Sequence, residues 1–133
     1  MVKHISHIGI AVKDLAAGIA FYEKLGLILE GIEEVPSQKV RVAFLPCGDT
    51  RIELLEPTSE DSPIAKFIAK KGEGIQHLAF AVDDLPAALQ KTEDAGIHLI
   101  DKAPRPGAHN AEIAFLHPKS TGGVLIELCK EKH

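Results

Sequence analysis

The chain has no tryptophan, one tyrosine, one methionine and two cysteines among its 133 residues. The cysteines, Cys47 and Cys129, form no C-x-x-C pair and no disulfide framework, which fits a reducing cytosol. No stretch approaches the ~18 consecutive apolar residues of a membrane span, and the start, Met1-Val-Lys-His4, lacks the apolar run of a secretory signal. Charge is not piled up in one sign either. Fifteen Lys and Arg against nineteen Asp and Glu give a net −4, so neither nucleic acid nor a membrane surface is an expected partner. No G-x-G-x-x-G, P-loop or G-x-S-x-G segment occurs, which leaves nucleophilic catalysis without a visible constellation. What remains is an ordinary globular composition, 45% hydrophobic and 26% charged, of single-domain length.

What is present is a repeat. His7-Ile-Gly-Ile-Ala-Val-Lys-Asp-Leu15 returns seventy positions later as His77-Leu-Ala-Phe-Ala-Val-Asp-Asp-Leu85. The echo continues through Glu23/Glu93, Gly26/Gly96 and Leu29/Leu99, then Ala43-Phe44-Leu45 against Ala114-Phe115-Leu116. It closes on Ile52-Glu53-Leu54 against Ile126-Glu127-Leu128. Two long copies indicate a duplicated module rather than a repeat array. Each module opens on a strand with the repeated histidine and ends on a strand with the repeated glutamate.

Local patterns predict βαβββ in each module. Lys3 to Val12 alternates as a strand, with Ile8, Ile10 and Val12 on one face and His7, Gly9 and Ala11 on the other. Asp14 is placed to cap a helix over 15–25, with Gly26 as its stop. Strands are expected over 27–34, 39–46 and 51–55, with Val35-Pro36-Ser37 and Gly48-Asp49-Thr50 as turns. Ser62-Pro63 starts a short connecting helix that Gly72 and Gly74 end. The second module repeats the plan: strand 75–82, Asp84 cap, helix 85–95, strand 97–100, a polar loop over 102–110, and strands 112–116 and 123–129. The expected organisation is one α+β domain: module 1 over about 3–57, a connector over 58–73, and module 2 over about 74–130.

If each module curls into a half-barrel, His7 and Glu53 can point into one concavity, and His77 and Glu127 into its twin. Two imidazoles and two carboxylates suit divalent Mn, Fe, Co, Ni or Zn. On an octahedral ion they leave two adjacent positions for substrate oxygens. Repetition is what lifts these histidines above an arbitrary packed one, and a carboxylate within an apolar strand is costly to bury without a partner. The other histidines fit less well. His4 has the opposite parity to His7, His98 sits where the first module has Ile28, His109 is in the polar loop, His117 is beside a turn, and His133 is terminal.

These residues resemble the vicinal oxygen chelate, or glyoxalase-like, superfamily of paired βαβββ half-barrels, and within it the methylmalonyl-CoA epimerase family, over essentially the whole chain. The likeness rests on His7-Ile-Gly-Ile-Ala-Val12, Ile52-Glu-Leu-Leu-Glu-Pro57, Asp61-Ser-Pro-Ile-Ala65 and Gly74-Ile-Gln-His77. Its most specific piece is Phe115-Leu-His-Pro-Lys-Ser-Thr-Gly-Gly-Val-Leu-Ile-Glu-Leu128. The resemblance implies a divalent metal on His7, His77 and Glu127, with Glu53 at the position of a fourth ligand. It implies proton transfer at an α-carbon between a thioester and a carboxylate, interconverting 2R and 2S acyl-CoA epimers through an enolate. Glu127 is the expected catalytic residue, the substrate a small-molecule acyl-CoA, and the assembly a cytoplasmic homodimer. Some members carry a second catalytic carboxylate on the strand after the Val-Pro turn. Here that strand reads Lys39-Val-Arg-Val-Ala43, leaving Glu53, Glu33, Glu34 or a bound water for the role. Other readings on the same fold are lactoylglutathione lyase (glyoxalase I), a metal-free ligand-binding protein and an extradiol dioxygenase. The first is disfavoured by the absent tryptophan, the second by retention of all four donors, and the third by chain length and the lack of further acid–base histidines.

Overall fold

The computed structural model describes residues 1–131. Its elements run β1 (Val2–Ala11), α1 (Leu15–Lys24), β2 (Gly31–Val35), β3 (Val40–Cys47), β4 (Thr50–Pro57), α2 (Pro63–Lys71), β5 (Gly74–Val82), α3 (Leu85–Asp94), β6 (Arg105–Pro106), β7 (Glu112–Leu116) and β8 (Ile126–Lys130). Two compact units emerge among the described residues, one of His7–Gln76 and one of Met1–Ser6 with residues 77–131. The first six residues thus belong with the second module, where the Ser6 hydroxyl donates to Glu131 at 2.8 Å and His4 lies 3.2 Å from the same carboxylate. Among the described residues no helix is long and apolar enough to cross a membrane.

In the first unit the strand order is β2-β3-β4-β1, with β1 parallel to β4 and the other pairs antiparallel. Alternation divides this sheet between two tasks. Ile10, Val12, Ala43, Leu45, Ile52 and Leu54 point to one side and pack with Leu15, Ile19 and Tyr22 of α1. The other side carries His7, Gly9 and Ala11 of β1 and their register partners Arg51, Glu53 and Leu55 of β4. The second unit repeats this in the order β5-β8-β7-β6. Phe80, Val82, Ala114, Leu116, Ile126 and Leu128 pack with Leu85, Ala88 and Leu89 of α3. That leaves His77, Ala79, Phe115, Glu127 and Cys129 for the opposite face.

The helix signals act as the sequence predicts. The Asp14 and Asp84 side chains accept from the backbone N–H groups of Ala17 and Ala87, and Ser62 caps α2 through Ile64. Gly26 and Gly96 follow their helices with φ of 95° and 84°, a region where a Cβ is strained. In the connector, a hydrogen bond from Lys39, and next one from Ser59, lower the Asp61 carboxyl to about 2. The stability this contributes is present above the ordinary value and is lost as pH falls toward 2.

Three boundaries differ from expectation. The strand over 27–34 begins only at Gly31, because Leu27 is still closing the helix through its bond to the Tyr22 carbonyl. No strand forms over 97–100; that segment makes a single bridge, Leu99 to Leu116, and its place beside β7 passes to β6 within the expected loop. The last strand starts at Ile126 rather than 123, since Gly123 has φ of 92° and bonds back to the Pro118 carbonyl, completing a turn. The caps provide a direct check. Asp14→Ala and Asp84→Ala are each expected to cost about 1 kcal/mol in urea unfolding, while the corresponding Asn variants stay within a few tenths of the parent.

Candidate metal centre

All four residues of the repeated donor set are buried: His7 is 5% exposed, Glu53 4%, His77 6% and Glu127 3%. Each unit brings its own pair together. His7 Nδ1 lies 3.3 Å from Glu53 Oε2, and His77 Nε2 lies 3.3 Å from Glu127 Oε1. The two pairs arise from the same local design. A histidine early in the parallel strand and a glutamate on its neighbour share one parity, with a residue of little or no side chain, Gly9 or Ala79, beside the glutamate. Across the antiparallel partner each glutamate faces a phenylalanine, Phe44 for Glu53 and Phe115 for Glu127. The Phe115 ring also stands edge-on to His77, 5.7 Å between centroids.

Burying a carboxylate against an imidazole in an apolar strand needs compensation. The donor chemistry fits a divalent ion: nitrogen and carboxylate oxygen ligands serve Mn, Fe, Co, Ni and Zn alike. Two donors cis on one octahedral ion, each about 2.1 Å from it, stand about 3 Å apart, close to the spacing in both pairs. As a donor group, His7, His77 and Glu127 could hold a metal ion.

The remaining candidates lie elsewhere. His98 and His117 are exposed, and the His117 ring accepts from the Lys119 backbone N–H. His109 sits in the 3-10 turn after β6 with φ of 63°, and His133 is outside the described residues. Glu33 is half-buried and registers with Val42, which registers with Leu55 and so with Ala11. It therefore stands on the face that carries His7 and Glu53. Glu34 points the other way, is exposed and registers with Arg41. Sequence reasoning passed over Arg51, whose Nη2 donates to Glu53 Oε2 at 3.1 Å. Its signal was available: two positions before Glu53, it shares that residue's face.

Residues 6–115 match the family described as glyoxalase/bleomycin resistance protein/dioxygenase superfamily. The chain belongs to that superfamily. The ethylmalonyl-CoA/methylmalonyl-CoA epimerase of Cereibacter sphaeroides is 39% identical over 96% of this chain and 98% of its own. The crystal structure of methylmalonyl-CoA epimerase from Mycobacterium tuberculosis superposes with a TM-score of 0.95 at 42% identity, covering 99% of this chain and 90% of that one. A methylmalonyl-CoA epimerase in complex with methylmalonyl-CoA and NH4+ gives 0.93 at 39% identity, over 98% and 96%. The α+β fold of paired βαβββ modules is therefore that of the glyoxalase superfamily.

Metal addition tests the donor set without any assay of turnover. Mn2+ or Co2+ at a hundred times its Kd is expected to raise the unfolding free energy by about 2.7 kcal/mol. His7→Ala and His77→Ala should keep the parent's far-UV circular dichroism and lose that increment. An equal increment in either variant would remove the residue from the donor set.

Proposed function

We propose that the chain is a metal-dependent methylmalonyl-CoA epimerase, interconverting the 2R and 2S thioesters by proton transfer at the α-carbon through an enolate. The observation that carries this reading is whole-length likeness, at 39% identity, to an epimerase described with methylmalonyl-CoA. The buried His–Glu pair in each unit supports it. His7, Glu53, His77 and Glu127 would hold one divalent ion, Co, Mn, Ni, Zn or Fe. The protein works as a homodimer in the cytoplasm, a compartment in keeping with two cysteines that form no disulfide.

The hydrogen to be moved lies between a thioester and a carboxylate and is already acidic. When bound, the ion supplies Lewis-acid stabilisation of the negative charge that develops as the proton leaves, worth several kcal/mol where about 1.4 kcal/mol is tenfold in rate. The protein's own groups do the rest. Glu127 takes the α-proton at a carboxylate oxygen. A cation held beside it would favour its ionised form and temper it as a base. Inversion needs a second carrier on the other side of the enolate. Of the available carboxylates we assign this to Glu33, because it shares a sheet face with His7 and Glu53 while Glu34 faces away. Phe44 and Phe115, each buried opposite a site glutamate, limit the water that could quench the enolate without stereochemical control.

Two substitutions separate these roles in D2O. Glu127→Gln is expected to retain part of the metal and to slow washing of deuterium into methylmalonyl-CoA by at least ~100-fold. Glu33→Gln should slow inversion on that scale while one epimer still exchanges its proton, and Glu34→Gln should behave as the parent. Full exchange in metal-loaded Glu127→Gln would confine Glu127 to ligation.

A further inference from the structure

The row of residues that carries Glu33 has a counterpart in the second unit. In the first unit Glu33, Val42, Leu55 and Ala11 are successive register partners across β2, β3, β4 and β1. In the second, Arg105, Ile113, Cys129 and Ala81 are successive partners across β6, β7, β8 and β5. The two rows match through the repeat: Ala11 and Ala81 are equivalent, and Val42 and Ile113 directly precede the shared Ala-Phe-Leu segments. The outer strand of each unit therefore brings one charged side chain to the site face at the same place. In the first unit it is an acid, and in the second a guanidinium.

The second unit holds that guanidinium in a definite position. It lies 5.0 Å from the centre of the Phe115 ring, which stands edge-on to His77, and Phe115 faces Glu127 across the ladder. The Arg105 Nε is 3.2 Å from Asp101 Oδ2, and the same oxygen accepts the Phe115 N–H at 2.9 Å. Beyond β6 the chain is pressed onto the sheet: a Cβ at Gly107 would meet Ile113 Cγ2 at 2.8 Å. His109 and Asn110 then turn it back with left-handed φ of 63° and 58°, a conformation uncommon outside glycine and found where the surroundings enforce it. Stability does not account for this care. The Arg105 side chain is 43% exposed, and an ion pair so open to water contributes little to folding. A guanidinium fixed over an aromatic face and still reached by solvent suits a planar oxyanion, which it can bind through paired N–H donors.

We propose that Arg105 is a specificity-determining residue for the free carboxylate of the substrate, so that the site prefers acyl thioesters bearing a second, ionised carboxyl group. Asp101 orients the guanidinium and Phe115 supports its plane. The matching position, Glu33, is the one assigned to the proton of the α-carbon, and the carboxylate is bonded to that same carbon. This rests on the acyl-CoA function proposed for the chain, and the test keeps the two apart by measuring binding rather than turnover.

The probes are malonate, which has carboxylates and no CoA tail, and propionyl-CoA, which has the thioester and the CoA phosphates and no free carboxylate. Both are titrated calorimetrically into Mn2+-loaded protein. Arg105→Met is expected to weaken malonate at least about 10-fold, the scale of one charge-assisted hydrogen bond, and to change propionyl-CoA less than threefold. Arg105→Lys, which keeps the charge and loses the fork, should fall between, and it preserves the test if the Met variant folds poorly. Malonate binding unaltered in both variants would overturn the inference, as would absence of malonate binding by the parent. A loss confined to propionyl-CoA would overturn it by giving the cation to the phosphates of the tail. Parallel loss of both probes would overturn it too, by making Arg105 merely structural. A parent that fails to epimerise methylmalonyl-CoA, yet shows the Arg105-dependent malonate preference, would fault the proposed reaction and leave the Arg105 assignment standing.

Discussion

The arrangement depends on one constraint, repeated twice: a glutamate that must be buried inside an apolar strand, next to an imidazole on the neighbouring parallel strand. Glu53 with His7, and Glu127 with His77, are set by period-two alternation and by parallel register. The opposite parity of the same strands supplies the helix-side core. Core and site are therefore two faces of one sheet in each unit. A one-residue slip would bury the donors under the helix and expose the leucines to the site. Packing against α1 and α3 thus keeps the chemistry in register.

Duplication explains the sameness of the two pairs, and the departures from it are where the units specialise. Gly9 and Ala79 are alike in leaving room, and Phe44 and Phe115 are alike in covering the glutamates. Arg51 against Leu125 breaks the symmetry in charge, and Glu33 breaks it on the outer strand. A reaction that inverts one carbon presents two different faces to the protein, so a site of perfect internal symmetry would serve it poorly. The candidate metal donors follow the repeat; the group assigned to proton return does not.

Much of this was legible from the sequence because repetition and alternation are both local signals. His7/His77 and Glu53/Glu127 stand at equivalent positions of patterns whose parity can be read directly, and Asp14, Ser62 and Asp84 announce their helices. Segment 97–100 was misread because its apolar residues look like a strand, whereas pairing depends on what β7 has beside it. Leu99 makes one bridge, and Arg105–Pro106 takes the edge, where a proline that cannot donate to a ladder halts extension. Arg51 was missed for a different reason. A charged residue at the start of a strand after a tight turn reads as solvent-facing, although its parity with Glu53 already set it on the site face, as its register with His7 bears out.

The central claim is that the two His–Glu pairs serve one divalent ion on which the epimerisation depends. The most direct measurement is deuterium exchange at the α-carbon of methylmalonyl-CoA, followed as protein stripped by a chelator is titrated with Co2+ or Mn2+. The account predicts negligible exchange in the stripped protein and recovery that rises linearly to a plateau at one ion per chain. Full exchange in protein shown to be metal-free, or recovery that requires two ions per chain, would contradict it.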